Sequence, residues 1–214
     1  MPRPGTPLHA MTLIICPGIH NVALSDRFLT ALNQQLADRG NVLLVTPEQI
    51  LPTQRYAPFN GFAVWSFLQE AAAPQEPLLL IGFSAGVVGA VVAAQLWQAQ
   101  RRGVAVLIAV DGWGVPKVND FPLHRVSHDY FTHWSSAVLG AGEASFYADP
   151  SVTHLDLWQF PERAQGWRVQ PLKHGAPITT AMSAIAFITE LVVHYSPQPP
   201  EPQQLGVRDA SPVD

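Results

Sequence analysis

The stretch Gly82-Phe83-Ser84-Ala85-Gly86 constrains what this chain can fold into more than any other. The apolar run Leu78–Phe83 before it reads as a buried strand, and the small-residue run after it, about 85–101, reads as a helix closed by Gly103. A strand that turns into a helix within one residue leaves little room, and glycines at 82 and 86 relieve the crowding. Gly89, Ala90, Ala93 and Ala94 let the helix approach the strand closely. A serine at the apex of such a turn carries its hydroxyl outward, close to the helix N-terminus and its unpaired N–H groups. A dinucleotide-binding turn would need Gly-x-Gly-x-x-Gly, whereas the spacing here is Gly82, Gly86, Gly89.

The rest of the chain repeats this alternation. Thr12–Cys16 is uniformly apolar, as a strand buried on both faces must be. Pro17-Gly18 ends it, Ser25 is the expected N-cap of a helix, and Phe28, Leu29, Leu32 and Leu36 mark one helical stripe that stops at Gly40. Residues 41–46 read as a second strand, about 61–73 as a weaker helix and Val104–Val110 as a further strand. Residues 144–148 and 167–172 are short fifth and sixth strands on this reading. Residues 177–195 read as a final helix, with Pro177 in its first turn and a stripe of Ile178, Met182, Ile185, Ile188 and Val192. The expectation is an α/β domain over residues 11–195, with a mostly parallel sheet of about five or six strands and helices on both faces. Residues 1–10 read as a disordered extension, and 196–214, with five prolines, as a disordered tail.

Composition narrows the function. Charged residues are 13% of the chain against 48% hydrophobic, and the formal net charge is −4 with only two lysines, so a nucleic-acid surface is not expected. No apolar run is long enough to span a bilayer. The single cysteine, Cys16, cannot form an internal disulfide, which fits a reducing, cytoplasmic compartment.

Glycine-x-serine-x-glycine between a strand and a helix is the nucleophile turn of the α/β-hydrolase fold, and it makes Ser84 the candidate nucleophile. Its oxyanion donors would be the N–H of Ala85 and, from the Pro17-Gly18-Ile19-His20 loop, the N–H of Ile19. His20 either touches substrate or caps the next turn. A serine nucleophile needs a histidine base and an acid to orient it. By chain order alone, Asp149 and His174 fit the loops after the last strands.

A second pair follows from resemblance. Ile15-Cys-Pro-Gly-Ile-His20, Phe83-Ser-Ala-Gly-Val-Val-Gly-Ala90, Asp111-Gly-Trp-Gly-Val-Pro116, Ser127-His-Asp-Tyr-Phe-Thr-His-Trp-Ser-Ser136 and Ser145-Phe-Tyr-Ala-Asp-Pro150 with His154-Leu-x-Leu-Trp158 resemble a family of uncharacterised cyanobacterial α/β-hydrolase-like proteins. The resemblance covers most of residues 12–195. It implies that His154, within the His-Leu-x-Leu-Trp signature, is the base, with Asp111 as its acid. The expected triad is therefore Ser84, His154 and Asp111, with Asp149 and His174 as the alternate pair.

Residues 112–143 are irregular and rich in aromatics and histidine, and read as a lid-like insert. Trp113, Tyr130, Phe131 and Trp134 would line an apolar substrate pocket beneath it. His124 and His128 would share one face of a helix, but no His-Glu-x-x-His pattern or fuller ligand set is evident, so neither a metal nor another cofactor is expected. Two functions remain. One is a serine hydrolase of esters or thioesters with an apolar acyl or aryl group, a small-molecule substrate. The other is an inactive binding or regulatory protein of the same fold, whose exposed aromatics would also support a homodimer.

Overall fold

The computed structural model describes residues 11–197 apart from 42, 118–119, 141 and 173. The expected terminal extension and most of the expected tail lie outside the described residues.

Among the described residues seven strands form one sheet whose spatial order follows the chain: β1 (Thr12–Cys16), β2 (Leu78–Phe83), β3 (Val104–Val110), β4 (Leu123–Ser127), β5 (Ser145–Ala148), β6 (Gln165–Gln170) and β7 (Ile178–Ser183). The first five are parallel, and β6 and β7 run antiparallel at the far edge. Side chains alternate between two cores. Leu13, Ile15, Leu79, Ile81, Val106 and Ile108 face α1 (Val22–Asp38) and α6 (Ala184–Tyr195), together with the single turn and a half of α5 (His154–Gln159). Ile14, Cys16, Leu78, Leu80 and Leu107 face α2 (Gly61–Ala71) and α3 (Ala85–Ala99). A sheet covered on both faces explains why β1, β2 and β3 are apolar at nearly every position. Among the described residues no helix is long and apolar enough to cross a membrane.

The strand count exceeds the expected five or six, and four segments differ from their sequence reading. Residues 43–46 form no strand. Asn33 of α1 takes the place of a neighbouring strand, donating from Nδ2 to the Val45 carbonyl (2.8 Å) and accepting the Val45 N–H at Oδ1 (3.0 Å). Helix α1 starts four residues early, capped by Asn21, and Ser25 is buried as the acceptor of the Trp158 indole N–H. The 112–143 stretch is no mere insert: β4 lies in the middle of the sheet, and α4 (Tyr130–Val138) follows it, capped by Asp129. The final element is a strand and then a helix. Ile178, Thr179 and Thr180 are on the exposed edge strand β7, and Ser183 rather than Pro177 begins α6.

β4 hides two polar side chains that obscured it in the sequence. Arg125 donates to the carbonyls of Gly140 (3.0 Å) and Val115 (2.9 Å). His124 donates from Nδ1 to the Ala144 carbonyl (2.8 Å), and its Nε2 pairs with the Tyr195 hydroxyl (3.0 Å). Burial lowers its pKa, and burial lowers that of His133 as well. At these two rings the folded chain therefore binds fewer protons than the unfolded chain once pH falls through about 6.5. Stability is expected to be full above that value and to decline below it, measured as urea midpoints between pH 7.5 and pH 5. His124→Gln should flatten the decline, and an unchanged slope would place the titration elsewhere.

Candidate active site

Four adjacent strands deliver one residue each to the carboxyl edge of the sheet, where ligands of parallel α/β sheets bind. Ser84 follows β2, and its N–H extends the ladder to the Val110 carbonyl (2.9 Å). Asp111 follows β3 and donates its N–H to Val126 (2.8 Å). His128 follows β4, and its carbonyl accepts the Val152 N–H (3.0 Å), placing the segment after β5 alongside it. His154 opens α5 two residues later, with Thr153 as N-cap.

Ser84 sits at φ 53°, ψ −122°, and Asp111 at φ 49°, backbone conformations that cost an L-residue energy and are held by the surrounding ladder. The glycines permit the turn at Ser84. A Cβ on Gly86 would lie 2.0 Å from the Cys16 carbonyl oxygen, and one on Gly18 3.0 Å from Ser84 Cβ. The Pro17-Gly18 turn is thus packed directly against the serine. Ile19 beyond it is exposed, and Ala85 N–H stands at the first turn of α3.

Asp111 is the centre of the cluster. Its side chain is only 1% exposed. Oδ1 accepts the backbone N–H of His128 (2.9 Å), and Oδ2 accepts Nδ1–H from both His128 and His154, each at 2.8 Å. Because a carboxylate only accepts, both rings carry hydrogen on Nδ1 and leave Nε2 free of it when neutral. The His128 hydrogen bond to Asp111 raises the pKa of that ring, and Asp129 Oδ2 lies 3.6 Å from its Nε2. His154 is 42% exposed and stacks on Phe83 (4.6 Å between ring centres), which stacks in turn on Trp158 (4.8 Å) and through it on Phe28 (3.9 Å). Among the described residues the Ser84 hydroxyl has no hydrogen-bond partner, and Cys16 is buried, which pushes its thiol up to about 12.

A cavity of about 450 Å³ opens over these groups, lined by Ser84, Ala85, Val88, Asp111, Trp113, His128, Phe131, Thr132 and His154. Trp113 is fixed by its indole N–H on Ser135 Oγ (3.1 Å). Tyr130 turns away to pack on Tyr147, and Trp134 is exposed beside Phe131, so neither lines the cavity. His20 also lies outside it, its Nδ1 on the Asn21 carbonyl and its ring against Phe83.

The alternate acid and base are not brought together. Asp149 is at the correct end of β5, but its Oδ2 accepts the Trp167 indole N–H (3.1 Å). His174 lies in the turn between β6 and β7. Because β6 runs against β5, that turn falls at the opposite end of the sheet from Ser84. His128 is the site residue that the sequence reading missed. It was placed on a helix with His124, whereas both belong to β4 and the residue after it. Asp111, His128 and His154 each offer one ligand atom within 4.8 Å of the others, a donor set able to hold a metal ion.

Compared with known proteins, the chain matches no family model and no curated protein.

Proposed function

We propose that this chain is a serine hydrolase of the α/β-hydrolase type, acting on esters or thioesters with an apolar acyl or aryl group. The observation that carries the reading is the Asp111–His154 hydrogen bond at 2.8 Å in a cavity that Ser84 also lines. Asp111 fixes the ring so that Nε2, the basic nitrogen, is presented to the cavity. His154 takes the Ser84 proton as Oγ attacks the carbonyl, then returns it to the alcohol or thiol leaving group. Water repeats the sequence on the acyl-enzyme. The Ala85 and Ile19 N–H groups hold the oxyanion in this mechanism, where each donor typically contributes 10²–10³-fold. Val88, Trp113 and Phe131 supply an apolar wall for the acyl or aryl group.

The alternative reading is a binding protein. Phe131, Trp134 and Val138 are exposed at helical spacing on α4 beside Trp113, and such an apolar ridge would suit a homodimer. A fluorophosphonate probe separates the two. The wild-type chain is expected to be labelled and Ser84→Ala not. Absence of labelling in folded wild-type protein would leave the binding reading.

A further inference from the structure

We propose that Asp111, His128 and His154 form a site for a divalent transition-metal ion, and that filling it removes the proton acceptor from Ser84. A catalytic triad needs one histidine on its acid. Here a second imidazole meets the same carboxylate oxygen through the same nitrogen at the same 2.8 Å. Two imidazole nitrogens gathered around one carboxylate oxygen are the donor types that open metal sites use, with water completing the coordination.

The distances allow it. Metal–ligand bonds of about 2.1 Å place octahedral neighbours about 3.0 Å apart and tetrahedral ones about 3.4 Å apart. The observed N···O separations of 2.8 Å therefore need about 0.2 Å of opening for the first geometry and about 0.6 Å for the second. Both are within side-chain adjustment, and His154, 42% exposed, has open space on the side of its ring away from Phe83. The carboxylate is oriented beforehand by the His128 N–H on Oδ1. His128 also has an outer partner, Asp129 Oδ2 at 3.6 Å from Nε2, in the carboxylate–histidine arrangement that supports metal-bound imidazoles. Asp129 is itself pinned by the Thr132 N–H (2.7 Å).

The consequence for Ser84 is proton bookkeeping. A metal ion takes the Nδ1 lone pair, so His154 loses hydrogen from Nδ1 to solvent and gains one at Nε2. An Nε2 that already carries hydrogen cannot accept the serine proton. The Nδ1–H bond breaks and an Nε2–H bond forms, so the ring's proton count is unchanged; no electron is transferred, and chelation reverses the change. The binding half of this inference stands on the donor set alone; the switching half rests on the hydrolase reading.

Co²⁺ titration of chelator-treated full-length protein, followed by its ligand-field absorption, tests the first half. One equivalent should bind, with His128→Ala and His154→Ala each weakening uptake at least about tenfold and Ser84→Ala leaving it intact. Circular dichroism checks that the variants are folded. Failure of wild type to take up Co²⁺, or uptake that neither histidine variant weakens, overturns the site. Fluorophosphonate labelling tests the second half. Zn²⁺ should suppress it in step with occupancy and EDTA should restore it, whereas His128→Ala should be insensitive to Zn²⁺ at the same concentration, whatever its own rate. Labelling that persists at full occupancy overturns the switch. If metal-free protein is never labelled, the hydrolase reading falls, and the Co²⁺ result still decides the site.

Discussion

Replacing His154 with alanine is expected to slow both ester turnover and the reaction of Ser84 with a fluorophosphonate by about 10⁴-fold, while His174→Ala leaves both unchanged. The difference follows from where the rings are. His154 Nδ1 is held by a carboxylate that is 1% exposed, its ring stacks on Phe83, and the residue lines the same cavity as Ser84. His174 is at the other end of the sheet. Nor should His128 substitute for the missing base, because its Nε2 faces Asp129 Oδ2 at 3.6 Å. Asp111→Asn should cost a similar factor, since an amide in that position no longer fixes the Nδ1–H tautomer. Stopped-flow or progress-curve labelling rates measure all three, and added imidazole should restore part of the His154→Ala rate if the defect is a missing base. Full activity in His154→Ala, or loss in His174→Ala, sinks the proposed triad.

The half of the sheet that sequence reading located well is the half buried on both faces. β1, β2 and β3 are apolar at nearly every position and end at Pro17, Ser84 and Asp111, so burial itself wrote their limits into the composition. The other half carries no such signal. β4 contains His124 and Arg125, whose polar atoms are satisfied by carbonyls and a tyrosine far away in sequence, and nothing local announces that. β7 is largely exposed, with Thr179 and Thr180 facing solvent. There Ile178, Met182 and Ile185 fall three and four residues apart by coincidence, across a strand–helix boundary at Ser183, and imitate a helical stripe.

The same division runs through the site. The position of Ser84 was legible because its turn is a local motif, one strand, one turn and one helix, all within a short stretch. Asp111 at the end of an apolar strand was a plausible acid for the same reason. The meeting of Asp111 with His154, 43 residues later, depends on the register of β3, β4 and β5, which no local pattern contains. His128 was missed for want of β4. Once Leu123–Ser127 is recognised as a parallel strand, the residue after it must emerge beside Asp111, just as Asp111 emerges beside Ser84.

Trp158→Ala is expected to cost about 3–5 kcal/mol of folding stability, the upper range for emptying a buried site. The indole is fully buried between Phe28, with ring planes 7° apart, and Phe83, with planes 10° apart. It joins three elements: α1 through Phe28 and Ser25, β2 through Phe83, and its own helix α5. Removing it leaves a cavity that rigid ring neighbours cannot close, and against a total of about 5–15 kcal/mol for a domain the loss is severe. Trp158→Phe separates packing from hydrogen bonding. It keeps a ring in the stack but gives up the 3.3 Å indole N–H bond to Ser25 Oγ, a bond of a kind that typically contributes about 1 kcal/mol. Its cost should therefore be well under half that of alanine, read from urea unfolding at pH 7.5. Because Phe83 carries both Trp158 and His154 on its ring, the alanine variant should also loosen the His154 imidazole. Its labelling rate at Ser84 should fall more than that of Trp158→Phe under conditions where both proteins are fully folded, and equal rates would show that the aromatic stack supports the fold without aiming the base.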